Sequence, residues 1–133
     1  MAAPTNTVSV EQYVARPPRQ VWSALTDPAL VAAWWAPGDI AAAVGHRFTL
    51  EMPGWGRVPC EVVEAVEPEC LVYTFADWTL TWRLVREGSG TRLTLDHSGF
   101  DLDNPQHRFA FDNMGPGWRD DVLPRLATLV EGG

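Results

Sequence analysis

The chain has 133 residues, 46% of them hydrophobic and 20% charged, with a formal net charge of −7. That is enough for one domain with a substantial core, and a single domain over residues 1–133 is expected. All ten basic residues are arginine and none forms a run, so phosphate backbones and anionic membrane surfaces lack the cationic footprint they need; nucleic acid is excluded as a partner.

No stretch approaches the roughly 18 consecutive apolar residues of a membrane span, so membrane insertion is not expected. The opening "MAAPTNT" has neither a positive start nor an apolar run. A secretory leader is therefore not expected, and the expected location is cytoplasmic. Two cysteines and three scattered histidines (His46, His97, His107) do not have metal-ligand spacing, so neither a metal nor a cofactor is expected.

In chain order, Val8–Val14 alternates like a strand. Pro17-Pro18 opens a helix to about Leu25, since proline is tolerated in a first helical turn. Asp27 caps a second helix that begins at Pro28 and ends near Trp35. Strands follow at about His46–Glu51, Arg57–Val66, Leu71–Ala76, Trp78–Arg86 and Thr91–Ser98. The turns between them are "MPGWG", "EP", "AD" and "EGSG". Asn104-Pro105 starts another helix, which Gly115-Pro116-Gly117 is expected to interrupt. Trp118, Val122, Leu126 and Leu129 then mark one face of a C-terminal helix that Pro124 should kink. Strands grouped apart from helices define an α+β fold: a curved antiparallel sheet of about six strands, with a long C-terminal helix across it enclosing a cavity.

Hairpin lengths assign the faces. Two-residue loops at Glu67-Pro68, Ala76-Asp77 and Gly88-Ser89 put Val62 opposite Tyr73, Cys60 opposite Phe75, Leu71 opposite Trp82, and Leu80 between Tyr73 and His97. Ala65 then faces Cys70, too far from Cys60 for a disulfide. A five-residue "MPGWG" loop brings Phe48 beside Cys60 and His46 onto the row of Val62. One face is uniformly apolar apart from His97, Tyr73 and His46, and a one-residue slip would destroy that agreement. In "LTLDHSGF", Asp96 points outward and His97 inward, so Asp96, His97 and Ser98 form no collinear triad.

The segments "ARPPRQVWSALTDPALVAAWWAP" (15–37), "VGHRFTL" (44–50), "EVVEAVEPECLVYTF" (61–75) and "TRLTLDHSGF" (91–100), with "GW" at 117–118, resemble bacterial homologues of the activator of the heat-shock-protein-90 ATPase, within the START-like (SRPBCC) helix-grip superfamily. The resemblance runs over about residues 8–130. It implies a sheet gripping the C-terminal helix and a cavity suited to an apolar small molecule, and its name implies a possible chaperone partner. His46 stands where the family commonly has a second glycine.

The favoured expectation is a binding protein for an apolar or aromatic small molecule. Candidate ligand contacts are His97, Tyr73, His46, Phe48, Phe75, Trp78, Trp82, Trp35, Met114, Trp118 and Val122. For each tryptophan, core packing is the plainer reading. Of Trp34 and Trp35, adjacent on a helix, one packs and the other is free to rim a pocket mouth. His97 reads as a core histidine satisfied by Tyr73 or a backbone carbonyl, or else as a group that orients a ligand. The alternatives are a cyclase or hydrolase in which His97 is the acid–base and Tyr73 a hydrogen-bond donor, and a stress-related co-chaperone of an Hsp90-type ATPase. Nucleophile-elbow, phosphate-loop and zinc-helix motifs are missing. Asp101, Asp103 and Asp112 read as solvated loop carboxylates.

Overall fold

The computed structural model describes residues 7–52, 56–101 and 103–132. The elements are β1 (Val8–Val14), α1 (Pro18–Thr26), α2 (Pro28–Trp34), β2 (Arg47–Met52), β3 (Gly56–Val66), β4 (Cys70–Phe75), β5 (Trp78–Glu87), β6 (Gly90–Ser98), α3 (Pro105–Gly117) and α4 (Leu123–Gly132), with one π-helical turn at Trp118–Val122 between the last two. The six strands form one antiparallel sheet in the order β1-β6-β5-β4-β3-β2, so the first strand closes against the last. The sheet is curved, and the C-terminal helix lies across it.

Local chemistry explains the helix boundaries. Pro18 stands in the first turn of α1, and the Asp27 carboxylate accepts the Ala29 N–H at 2.9 Å to cap α2. The Asn104 side chain accepts the N–H groups of Gln106 and His107 and so starts α3. Two caps of this kind were readable in the sequence because each is an Asx-Pro pair.

The C-terminal helix departs from expectation. Gly115-Pro116-Gly117 does not interrupt α3, which runs to Gly117. A Cβ at Gly115 would lie 3.2 Å from Val8 Cγ1, so this glycine serves the close approach of α3 to β1 rather than a stop. The irregularity lies one turn later, where the Leu123 N–H donates to the Trp118 carbonyl in the wider π pattern. Pro124 follows directly; its ring would press on the carbonyl four residues back in a regular helix, and the wider turn accommodates it.

The β4–β5 and β5–β6 registers follow the two-residue loops: Tyr73 faces Leu80, Leu71 faces Trp82 and Leu80 faces His97. Phe48 faces Cys60 across β2–β3, although loop residues 53–55 lie outside the described ones. The β3–β4 hairpin differs. Its loop has three residues, Val66 faces Cys70 and Ala65 faces Leu71, and a β-bulge at Val63 absorbs the extra residue so that Val62 still faces Tyr73. Beyond that pair the same register continues through side-chain and backbone contacts. The Glu61 N–H turns to the Thr74 hydroxyl at 2.9 Å, and the Ala76 N–H reaches the Pro59 carbonyl at 3.0 Å. Both cysteines are free thiols.

The buried apolar residues form one cluster between the concave sheet face and the helices. Trp34 lies inside it and donates its indole N–H to the Ala24 carbonyl at 2.8 Å, which locks α2 to α1. The C-terminal end is tied down by Glu131, whose carboxylate accepts the Ala15 N–H and whose carbonyl accepts from Arg16.

Candidate functional site

One face of α3 meets the open rim of the sheet and leaves a two-lobed cleft. Gln106, Phe109, Ala110, Asn113, Met114 and Gly117 recur at helical spacing and all line it. The larger lobe holds about 310 Å³ and is completed by Trp35 after α2, Met52, Phe75, Trp118 and Val122. The smaller lobe holds about 170 Å³ and is bounded by Val58, Ala76, Asp77, Trp78, Gln106 and His107. Met52, Phe75 and Met114 belong to both and form the partition. Two of those three are methionines, whose unbranched side chains adapt to irregular space.

Aromatic rings build the floor of the larger lobe. Trp35 packs on Phe75 at 5.4 Å and edge-on to Trp118 at 5.0 Å between centroids, and its other face stacks on buried Trp34. Phe109 stands in the wall of this lobe with 65% of its surface exposed.

Below that floor sits His97, with no exposed surface. Its partner is neither Tyr73 nor a carbonyl: the Trp118 indole N–H donates to His97 Nδ1 at 3.1 Å. Nδ1 is therefore an acceptor, and the neutral ring carries its proton on Nε2. Among the described residues Nε2 is buried without a hydrogen-bond partner, and the rings of Phe100, Trp78 and Phe75 surround the imidazole at 4.6, 5.3 and 6.1 Å. Burial drives the imidazole down to about 3, well below its ordinary value.

The expected contacts thus divide. Trp35, Phe75, Trp78, Met114, Trp118 and Val122 line the cleft. His97, Tyr73 and Trp82 do not; they are packed in the core behind it. Burial pushes the Tyr73 phenol upward, away from ionisation. Phe48 packs edge-on against Tyr73. His46 stacks on Phe48 and donates Nε2–H to the Asp39 carbonyl at 2.6 Å, so it braces the loop before β2. An acid–base role for His97 and Tyr73 would need both to reach the cleft, and neither does. Burial raises the Cys60 thiol to about 12, which leaves it inert. Among the described residues, no group of three His, Cys, Asp or Glu side chains converges as a metal site, and no helix is long and apolar enough to cross a membrane.

Sequence reasoning missed Met52, Val58, Ala76, Asp77, Gln106, His107, Phe109, Ala110, Asn113 and Gly117. The α3 periodicity was present, but it was hidden by reading Gly115-Pro116-Gly117 as a break. His107 is the polar anchor of the smaller lobe. Its Nδ1 accepts the Asp101 N–H at 3.0 Å, its Nε2 lies 3.6 Å from an Asp77 carboxylate oxygen, and its ring packs edge-on against Trp78.

A curved antiparallel sheet holding a C-terminal helix over a lined cleft defines a helix-grip protein. Residues 15–131 match the family described as "Activator of Hsp90 ATPase homolog 1-like protein", and the chain belongs to that family. Among solved structures, protein MLL2253 from Mesorhizobium loti is 31% identical, with a TM-score of 0.85, over 95% of this chain and 97% of that one. BH1534 from Bacillus halodurans is 30% identical, with a TM-score of 0.84, over 94% and 96%. DynU16, a putative protein in the dynemicin biosynthetic locus, shares the fold at 24% identity and a TM-score of 0.81, over 97% of this chain and 49% of its own length. A comparison with curated proteins finds no match.

Proposed function

We propose that the chain binds an apolar or aromatic small molecule in the cleft between α3 and the sheet rim. The carrying observation is the larger lobe: about 310 Å³ walled by Trp35, Phe75, Phe109, Met114, Trp118 and Val122, with Asn113 as the one amide among the described residues that line it. That volume falls at the small end of ligand sites, and an apolar wall with few polar groups is what such sites share. Ligand surface leaving water against these rings supplies the affinity, and the methionine partition adapts to its outline. Phe109, exposed on the rim, gains cover when the lobe fills.

Fluorescence titration with N-phenyl-1-naphthylamine, a neutral apolar dye, tests this. The expected result is saturable enhancement that Met114→Trp abolishes by filling the partition while the unfolding midpoint holds. No enhancement, or enhancement that Met114→Trp leaves unchanged, would overturn the reading.

A further inference from the structure

We propose that the smaller lobe seats a neutral hydroxyl or phenol at one end of the ligand, and that the cleft rejects carboxylates; this rests on the ligand-binding reading above. The Asp101 N–H occupies His107 Nδ1 at 3.0 Å, so the neutral ring presents a donor at Nε2. That donor lies 3.6 Å from Asp77 Oδ2, too far for a hydrogen bond between them. An oxygen about 2.8 Å from both atoms completes the geometry, accepting from Nε2–H and donating to the carboxylate. A hydroxyl does both, an ether or ketone only accepts, and a carboxylate only accepts while meeting the Asp77 charge. Gln106 adds an amide that either donates or accepts. No arginine lines either lobe among the described residues, so nothing there offsets an anionic ligand. The α3 N-terminus does not substitute, because Asn104 already takes the Gln106 and His107 N–H groups. The apolar lobe then holds the ligand body and the small lobe fixes its direction.

Equilibrium dialysis of the intact protein against naphthalene, 2-naphthol and 2-naphthoate at neutral pH tests the assignment. One donor on the half-buried His107 ring and one acceptor on exposed Asp77 favour 2-naphthol over naphthalene by ~5-fold, with 2-naphthoate weaker than either. His107→Phe keeps a ring against Trp78 and should reduce 2-naphthol to the level of naphthalene. The Asp77 side chain is 81% exposed, so Asp77→Asn tests the charge with little risk to folding and should raise 2-naphthoate binding several-fold. Equal binding of the three compounds, or tightest binding of 2-naphthoate, overturns the polar assignment and leaves the cleft reading standing. If none of the three binds, both fall.

Discussion

A buried imidazole that hydrogen-bonds through one nitrogen makes His97 a titrating weakness rather than a catalyst. Its ordinary value is 6.5, and the fold holds it at about 3. Between those limits the unfolded chain takes up a proton that the native state refuses. The stability conferred by neutral His97 is therefore complete above about pH 6.5 and is lost as pH falls toward 3, with a limiting slope of about 1.4 kcal/mol per pH unit. His97→Gln keeps an acceptor for the Trp118 indole but cannot charge. Urea midpoints measured from about pH 7 to about pH 4 should converge for the two proteins as acid is added. Parallel curves would show that the fold does not hold the imidazole below its ordinary value. Alternation along β6 was sufficient to turn His97 inward. Its partner was not legible, because Trp118 arrives from a different element 21 residues later.

Among the elements, the β4–β5 hairpin carries visible strain. Ala76 adopts φ 56°, where a side chain costs about 1–2 kcal/mol relative to right-handed backbone. Glycine removes that cost and returns some of it as unfolded-state entropy. Ala76→Gly should therefore stabilise by up to about 1 kcal/mol, read as a higher urea midpoint at unchanged slope; a lower midpoint would mean that the Ala76 methyl, which borders the smaller lobe, packs better than the turn suffers. This turn and the Gly88-Ser89 turn were readable because two-residue loops leave no freedom of register. The β3–β4 loop was not, since a three-residue loop with a bulge and a two-residue loop without one give the same Val62–Tyr73 pair. The π-turn was equally hidden: prolines at 116 and 124 announce an irregular helix without saying which turn absorbs it.

For the whole molecule, charge and topology set the terms. Arg92 binds Glu11 and Glu87 at the surface, Arg83 lies 3.8 Å diagonally from Asp96, and Arg47 faces Glu61. Such exposed pairs are each worth less than about 1 kcal/mol and are screened by salt. The net charge of −7 acts the other way by repelling itself. Raising sodium chloride from about 0.05 M to about 0.5 M should therefore leave the urea midpoint unchanged or slightly raised. A clear fall would assign real weight to the surface pairs. The meander, its apolar face and six cleft-lining residues followed from the sequence, whereas the place of β1 beside β6 and the α3 wall of the cleft did not. That wall depends on where α3 crosses the rim, and that crossing is set by contacts such as Gly115 against Val8.

The bulge at Val63 has a consequence for chain length. It is a spare residue: with Val63 removed, Glu64 would still face Val72 and Val62 would still face Tyr73, so every side chain of β3 would keep its side. Removal of Glu61 would use the same spare residue, with Val62 turning outward and Val63 inward, so Arg57 to Cys60 would keep their side. Residues 62 and 63 are both valine, so loss of either codon gives the same chain, and the bulge lets the strand absorb one lost residue but not a second. Since a bulge bends its strand and sharpens its twist, the tolerated loss would also flatten the sheet beside the cleft, which makes this spare residue a dial on the room left for whatever the protein holds.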